Sequence, residues 1–410
     1  MIVKQSFEVF RVPKYPTFFA SRFISNLGNG MGPVALAFAV LAMPDSTPTS
    51  LSLVLAAQAV PTVALLPVGG VIADRLGRAR VIAITDIILS AIVATIGVLF
   101  LTHTATIPVV MALSFVAGCL NALWYPAFTG LAADVVPDAH LQRANAYVAF
   151  AANSGLIIGT GVAGIVVATL GAPIAILFDA ATFLIAGILV LTFRHVSVKK
   201  VSEQSHLRDL VDGWKVFTSF RWIVVVVGAY SFIVLVMRGA EEVVGPVLAL
   251  QSYGGAAGWS LVLAGQSVGL LVGAVIASRF KPKRPMVFGA LATGALVPYL
   301  LALAFAAPLW VVVPLAFFWG IAMDAFYIVW LTEVQSRVPR EALSRVMSYD
   351  AFGSLIFGPL GLALAGPMVV VIGIANTLFV AAAVSCAAVA AMLLAPSVRG
   401  LRALAASETS

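Results

Sequence analysis

Val68-Gly69-Gly70-Val71-Ile72-Ala73-Asp74-Arg75-Leu76 closes a long apolar run and opens onto the basic loop Gly77-Arg78-Ala79-Arg80, after which a second apolar run begins. The same pattern returns 204 residues later as Val272-Gly273-Ala274-Val275-Ile276-Ala277-Ser278-Arg279-Phe280, again followed by a basic loop, Lys281-Pro282-Lys283-Arg284. A second pair of passages lies 202 residues apart. In it, Val136-Pro137-Asp138-Ala139-His140-Leu141-Gln142-Arg143 is answered by Val338-Pro339-Arg340-Glu341-Ala342-Leu343-Ser344-Arg345, and Tyr147 by Tyr349. Two matches at nearly one spacing point to a duplicated unit of about half the chain.

The surroundings of these passages fix the solvent. Of the 410 residues, 61% are hydrophobic and only 10% charged, with a mean hydropathy of +1.07. A soluble domain carries about 25% charged residues, so lipid must surround most of this chain. Apolar runs long enough to cross a hydrocarbon core of about 30 Å lie near 16–42, 50–73, 79–101, 106–127, 144–168 and 172–193. Six more follow near 222–249, 258–278, 285–306, 309–331, 343–368 and 371–394. The first run starts near Tyr15 without a small-residue cleavage site, so it is expected to stay in the membrane.

Counting loops alternately puts 22 of the 24 Lys and Arg on one side, and the other two, Arg22 and Arg238, inside spans. Basic loops face the cytoplasm. The reading is therefore an all-α membrane protein of twelve transmembrane helices in two parallel six-helix repeats, in the cell membrane, with both termini cytoplasmic. Its parts are an N-terminal bundle (1–193), a cytoplasmic linker (194–220), a C-terminal bundle (221–395) and a cytoplasmic tail (396–410). The net charge of +7 belongs to span ends, so it does not imply nucleic acid. Parallel repeats about a central axis are a transporter architecture.

The loop Gly70-Val-Ile-Ala-Asp74-Arg75-Leu-Gly77-Arg78-Ala-Arg80 resembles the signature between spans 2 and 3 of the major facilitator superfamily. Trp124-Tyr125-Pro126, Val136-Pro137 and Leu141-Gln-Arg143-Ala-Asn145-Ala resemble its twelve-helix drug and proton antiporter branch, which includes macrolide and siderophore exporters. The resemblance implies that Asp74 and the arginines of its loop latch the two halves on the cytoplasmic side and rearrange during alternating access. Ser278 stands where the second copy would need the acid, so such a latch would be asymmetric. Where the branch usually carries an acidic residue in span 1, this chain has Gly28-Asn29-Gly30. Its span 5 segment, Gly155-Leu-Ile-Ile-Gly159-Thr160-Gly161, has Thr160 in place of the antiporter proline.

An ionisable side chain near mid-membrane costs at least about 2.5–3.5 kcal/mol, so each needs a partner or a purpose. Seven stand inside spans: Arg22, Asp86, Asp179, Arg238, Glu241, Glu242 and Asp324. In the family, spans 1, 4, 7 and 10 line the central cavity, and five of the seven lie on these. Spacings of three and four residues set Arg238 beside both Glu241 and Glu242. One cation against two acids leaves one carboxylate poorly compensated and suited to binding and releasing a proton. Arg22 lies close enough to the cytoplasmic edge to snorkel, Asp86 is expected to turn back to the basic loop, and Asp179 is expected to be structural. Asn26, Asn29, Asn121, Trp124 and Tyr125 could hydrogen-bond or stack an amphipathic substrate.

Several chemistries are excluded. Gly265-Gln-Ser267-Val-Gly269 spells a nucleophile elbow but lies mid-span; with Gly273 it reads as a helix face for close packing. No phosphate-binding P-loop is present, so an ion gradient is the expected energy source. Cys119, Cys386 and the four histidines lack metal-ligand spacing, and no cofactor is expected. The reading is proton-coupled efflux of a small hydrophobic or amphipathic compound by a monomer. Uptake of a metabolite is the alternative within transport, and a polytopic membrane enzyme or receptor the alternative outside it.

Overall fold

The computed structural model describes residues 8–193, 214–279 and 282–402. A 3₁₀ turn, Glu8–Arg11, leads into six helices: α1 (Tyr15–Leu41), α2 (Pro48–Leu76), α3 (Arg78–Leu101), α4 (Ile107–Val135), α5 (Asp138–Leu170) and α6 (Ala172–Leu191). The second series begins with α7 (Arg221–Ser252), α8 (Ala256–Arg279), α9 (Pro285–Ala304) and α10 (Leu309–Arg337). No strand occurs among the described residues. Helices are the natural outcome, because a segment in hydrocarbon must satisfy its peptide groups within itself. Mid-helix side chains such as Phe318 (59% exposed) and Val116 (45%) are left uncovered by the protein, as apolar groups facing lipid would be.

The last stretch, Val346–Leu394, is apolar over 49 residues. As one straight helix it would run about 74 Å, more than twice the hydrocarbon thickness. Gly373 breaks it, with φ 83° and ψ 167° inside an otherwise helical run. The first series shows the same device 202 residues earlier, where Gly171 (φ 89°, ψ 156°) alone joins α5 to α6. Residues 340–372 are therefore α11 and residues 374–394 are α12, which makes twelve crossings. A further matched pair is His103 (φ 56°) and Ala306 (φ 46°), non-glycine residues in left-handed backbone in the α3–α4 and α9–α10 loops.

Glycines at the repeat spacings bring equivalent helix pairs together. In the first series, a Cβ on Gly69 would collide with the Ala122 carbonyl, and one on Gly118 with that of Gln58, so α2 and α4 touch backbone to backbone. In the second, Gly273 sits against Ile321 and Gly320 against Gln266, which joins α8 to α10 in the same way. Gly269 packs on the Phe317 carbonyl, so the glycines of the mid-span G-x-S-x-G serve packing as read. The α1–α5 pair closes through Gly159 on Leu27, and the Thr160 hydroxyl donates to the Gly30 carbonyl at 3.3 Å. The α7–α11 pair closes through Gly361 on Leu235, and the Ser231 hydroxyl donates to the Gly353 carbonyl at 2.6 Å.

Valine at Gly320 should force α8 off α10 and cost about 1–3 kcal/mol or more. Alanine at Gly228, which has no neighbour within 4 Å of a new Cβ, should be tolerated. Thermal melting of the two variants in detergent checks this contrast; equal melting points would contradict it.

The duplication extends further than the two passages that announced it. Phe10, in the turn before α1, packs edge-on against Tyr147 at 5.1 Å, while Phe217, just before α7, packs against Tyr349 at 5.7 Å. The chain divides into two compact units, residues 1–203 with 249–260, and residues 204–248 with 261–410. Residues 194–213, most of the expected linker, lie outside the described residues.

Candidate functional site

In the first unit, α1 carries one charged side chain, Arg22, and the helix face it occupies points inward. The side chain is fully buried, as is that of Asp86 on α3, and Nη2 lies 3.6 Å from Oδ2. The guanidinium carbon stands 5.3 Å from the ring centroids of both Trp124 and Phe128 on α4, which stack on each other at 5.0 Å. Such cation–π contacts strengthen where water is excluded, to about 2 kcal/mol. Arg22 Nε donates to the Ser21 hydroxyl at 3.3 Å, and Asn26 Nδ2 donates to the Arg22 carbonyl at 2.8 Å.

This corrects two expectations. Arg22 does not snorkel, and Asp86 does not turn back to the basic loop; they hold each other. The reason is rotational: position 22 faces α3 and α4 rather than water at the end of the span, and the counter-charge it meets comes from 64 residues away. At 3.6 Å the pair is an ion pair beyond hydrogen-bond reach. Arg22 and the Trp124 indole both approach the Asp86 carboxylate, but among the described residues neither makes a close, well-directed hydrogen bond to it. Buried groups left open in this way are able to bind a polar ligand or water. Asn29 and Asn121 are half-buried nearby in sequence on α1 and α4, and Tyr125 is 55% exposed.

The second unit builds its site on an irregularity. Helix α7 opens into a π turn at Ala240–Val244, and π turns are rare and concentrate at functional places. The expected trio is thereby divided. Arg238 pairs with Glu242, both partly exposed. Glu241 turns the other way, where its Oε1 accepts from Gln266 Nε2 of α8 at 3.0 Å and from Trp319 Nε1 of α10 at 3.2 Å. Trp319 is fully buried and Gln266 nearly so. Glu241 is thus held by two neutral donors rather than by the arginine three residues before it. Asp324, on α10, is half-buried.

Sequence reasoning passed over Gln266, Trp319 and Asp350. Asp350 of α11 accepts from Trp330 Nε1 at 3.1 Å and from the Ser354 hydroxyl at 3.4 Å. It lies within the apolar run read at 343–368, so an ionisable residue in a span was itself the missed signal. Gln266 carried a similar one, as an amide in an otherwise apolar stretch.

At the loop between α2 and α3, Gly77 (φ 90°, ψ 126°) makes the whole connection, which is why a glycine stands there. Arg78 reaches Asp134 at the end of α4, 3.4 Å away, while Arg75 and Arg80 are exposed. Gly70 and Asp74 lie in the last turns of α2, and the Asp74 side chain is outside the described set. Among the described residues no group of three His, Cys, Asp or Glu is placed to hold a metal.

Comparison with known proteins agrees with this architecture. The chain is 28% identical over 361 residues to the multidrug efflux pump Tap of Mycolicibacterium fortuitum, covering 83% of this chain and 85% of that protein. It is 27% identical over 257 residues to the staphyloferrin A transporter of Staphylococcus aureus, covering 58% and 64%. A match to the uncharacterized MFS-type transporter YkuC of Bacillus subtilis is 26% identical, and spans 46% of this chain and 43% of that one. The crystal structure of the nucleoside transporter NupG superposes with a TM-score of 0.74 over 93% of this chain and 98% of that one, at 14% identity, a likeness of fold. Residues 18–278, more than half the sequence, match the family described as Major Facilitator Superfamily. With its twelve apolar helices in two matched series, the chain is a multi-pass transporter of the cell membrane that binds a small-molecule substrate, and it belongs to the Major Facilitator Superfamily.

Proposed function

We propose that this transporter exports a small hydrophobic or amphipathic compound in exchange for protons, by alternating access, with both termini in the cytoplasm. The observation that carries the coupling is Glu241: a carboxylate inside a span, on a π turn, held by an amide and an indole. Such a group can change its charge without breaking an ion pair. The direction is supported by the likeness to the pump Tap over 83% of the chain. Cytoplasmic termini are supported by the one-sided placement of Lys and Arg.

In this reading the open polar groups around Arg22 and Asp86, with the stacked Trp124 and Phe128, supply the substrate contacts of the first unit. Asn26, Asn29, Asn121 and Tyr125 border them in sequence. Arg238, Glu242 and Asp324 extend the polar lining in the second unit. The loop from Gly70 to Arg80, with Asp74, is the element that rearranges as access alternates, and the protein works as a monomer.

The test is accumulation in everted, respiring membrane vesicles, with ethidium, tetracycline and erythromycin as probes. At least one probe should accumulate above a vector control and leave when a protonophore is added. Accumulation only in right-side-out vesicles would reverse the direction, and no difference from control for any probe would refute the export reading.

A further inference from the structure

One ionisable side chain inside the first unit has no part in anything described so far. Asp179, on α6, is 6% exposed, and its Oδ1 has no hydrogen-bond partner among the described residues. Its carboxylate lies in a slot in α1 cut by two glycines one turn apart. A Cβ at Gly32 would lie 2.5 Å from Oδ2, and one at Gly28 would come closer still to Oδ1. The Thr182 hydroxyl, one turn along α6, is spent on the Asp179 carbonyl at 2.7 Å and does not serve the carboxylate.

The groups facing this slot can be named helix by helix. Helix α6 packs against α1, α3 and α5. Apart from Arg78 and Arg80 in the first turn of α3, the charged residues on α1 and α3 are Arg22 and Asp86. These two are paired with each other beside Gly187, two turns along α6 from Asp179. The ionisable residues of α5, Asp138, His140, Arg143 and Tyr147, all lie in its first three turns, far from Gly28 and Gly32 in the α1–α5 pairing, which runs through Gly155 and Gly159. No counter-charge therefore meets Asp179 among the described residues. An isolated buried carboxylate is costly, whereas the neutral acid fits such a place.

We propose that Asp179 is a proton-binding site, closed by the Gly28 and Gly32 face of α1 and opened when α1 moves along α6. In the open arrangement the acid gives its proton to water, leaving the carboxylate hydrated; in the closed arrangement it has taken the proton back. This rests on the proton-coupled reading above and adds a second site to it, in the other unit from Glu241.

The experiment has two arms on the full chain. In detergent, with no transport substrate, the purified protein is treated with dicyclohexylcarbodiimide, which attacks the neutral carboxylic acid, and peptides are read by mass spectrometry. An adduct on Asp179 that falls about tenfold for each pH unit on the alkaline side supports the site. In everted vesicles, Asp179→Asn should abolish the pH-gradient-driven accumulation of ethidium while ethidium counterflow persists. Unchanged gradient-driven accumulation and pH profile in Asp179→Asn overturn the proposal. Where that variant does not fold, absence of the wild-type adduct overturns it. Labelling without transport of ethidium, tetracycline or erythromycin by the wild type would refute the export reading and leave the Asp179 site standing.

Discussion

Alanine in place of Arg22 should be among the most damaging single changes in the first unit. It would leave the fully buried Asp86 carboxylate without its cation and uncover the stacked faces of Trp124 and Phe128. Removing one member of a buried ion pair costs about 3–5 kcal/mol, whereas exchanging both for apolar groups of similar size is often close to neutral. The double variant Arg22→Met with Asp86→Leu should therefore melt near the wild type, well above Arg22→Ala. Loss of transport in a double variant that stays folded would separate a substrate role from a structural one. If Arg22→Ala alone melts like the wild type, the pair is not what binds α1 to α3 and α4.

Glutamine at Glu241 keeps a carbonyl oxygen able to accept from both Gln266 and Trp319, but has no proton to exchange. The variant is expected to fold and bind, and to lose acid-driven accumulation to the level of the vector control. Glutamine at Glu242 removes a partly exposed pair with Arg238, an interaction worth about 0–1 kcal/mol. It should change flux far less. Equal losses in the two variants, measured in the same everted vesicles, would dissolve the distinction drawn between these adjacent carboxylates.

That distinction was not legible in the sequence. Helical spacing puts Arg238 within reach of both acids, and nothing in Ala240-Glu241-Glu242-Val243-Val244 announces a π turn. What can be seen only in the fold is that Glu241 bonds to α8 and α10 there, and that Gly239, just before the turn, packs on Gly361 of α11. Arg22 was equally opaque: its depth along α1 could be counted, but not the side of the helix on which it stands, and the rotation decides between water and Asp86. What could be read was everything that depends on period and solvent. The run lengths and the spacings of 202 and 204 residues are one-dimensional quantities. The matched contacts Gly69 with Gly273 and Gly118 with Gly320 follow the same spacings. The boundary read between the last two spans, at 368–371, falls within a few residues of Gly373, whose backbone divides the stretch Val346–Leu394.

The single-glycine hinges at Gly171 and Gly373 carry a mechanical consequence. A link of one residue has no slack, so a tilt imposed on α5 must appear at once in α6, and likewise from α11 to α12. Each pair is a crank whose elbow can bend but cannot stretch. A displacement of either arm is passed on to the other, and each of these hairpins offers a protease almost no chain to cut.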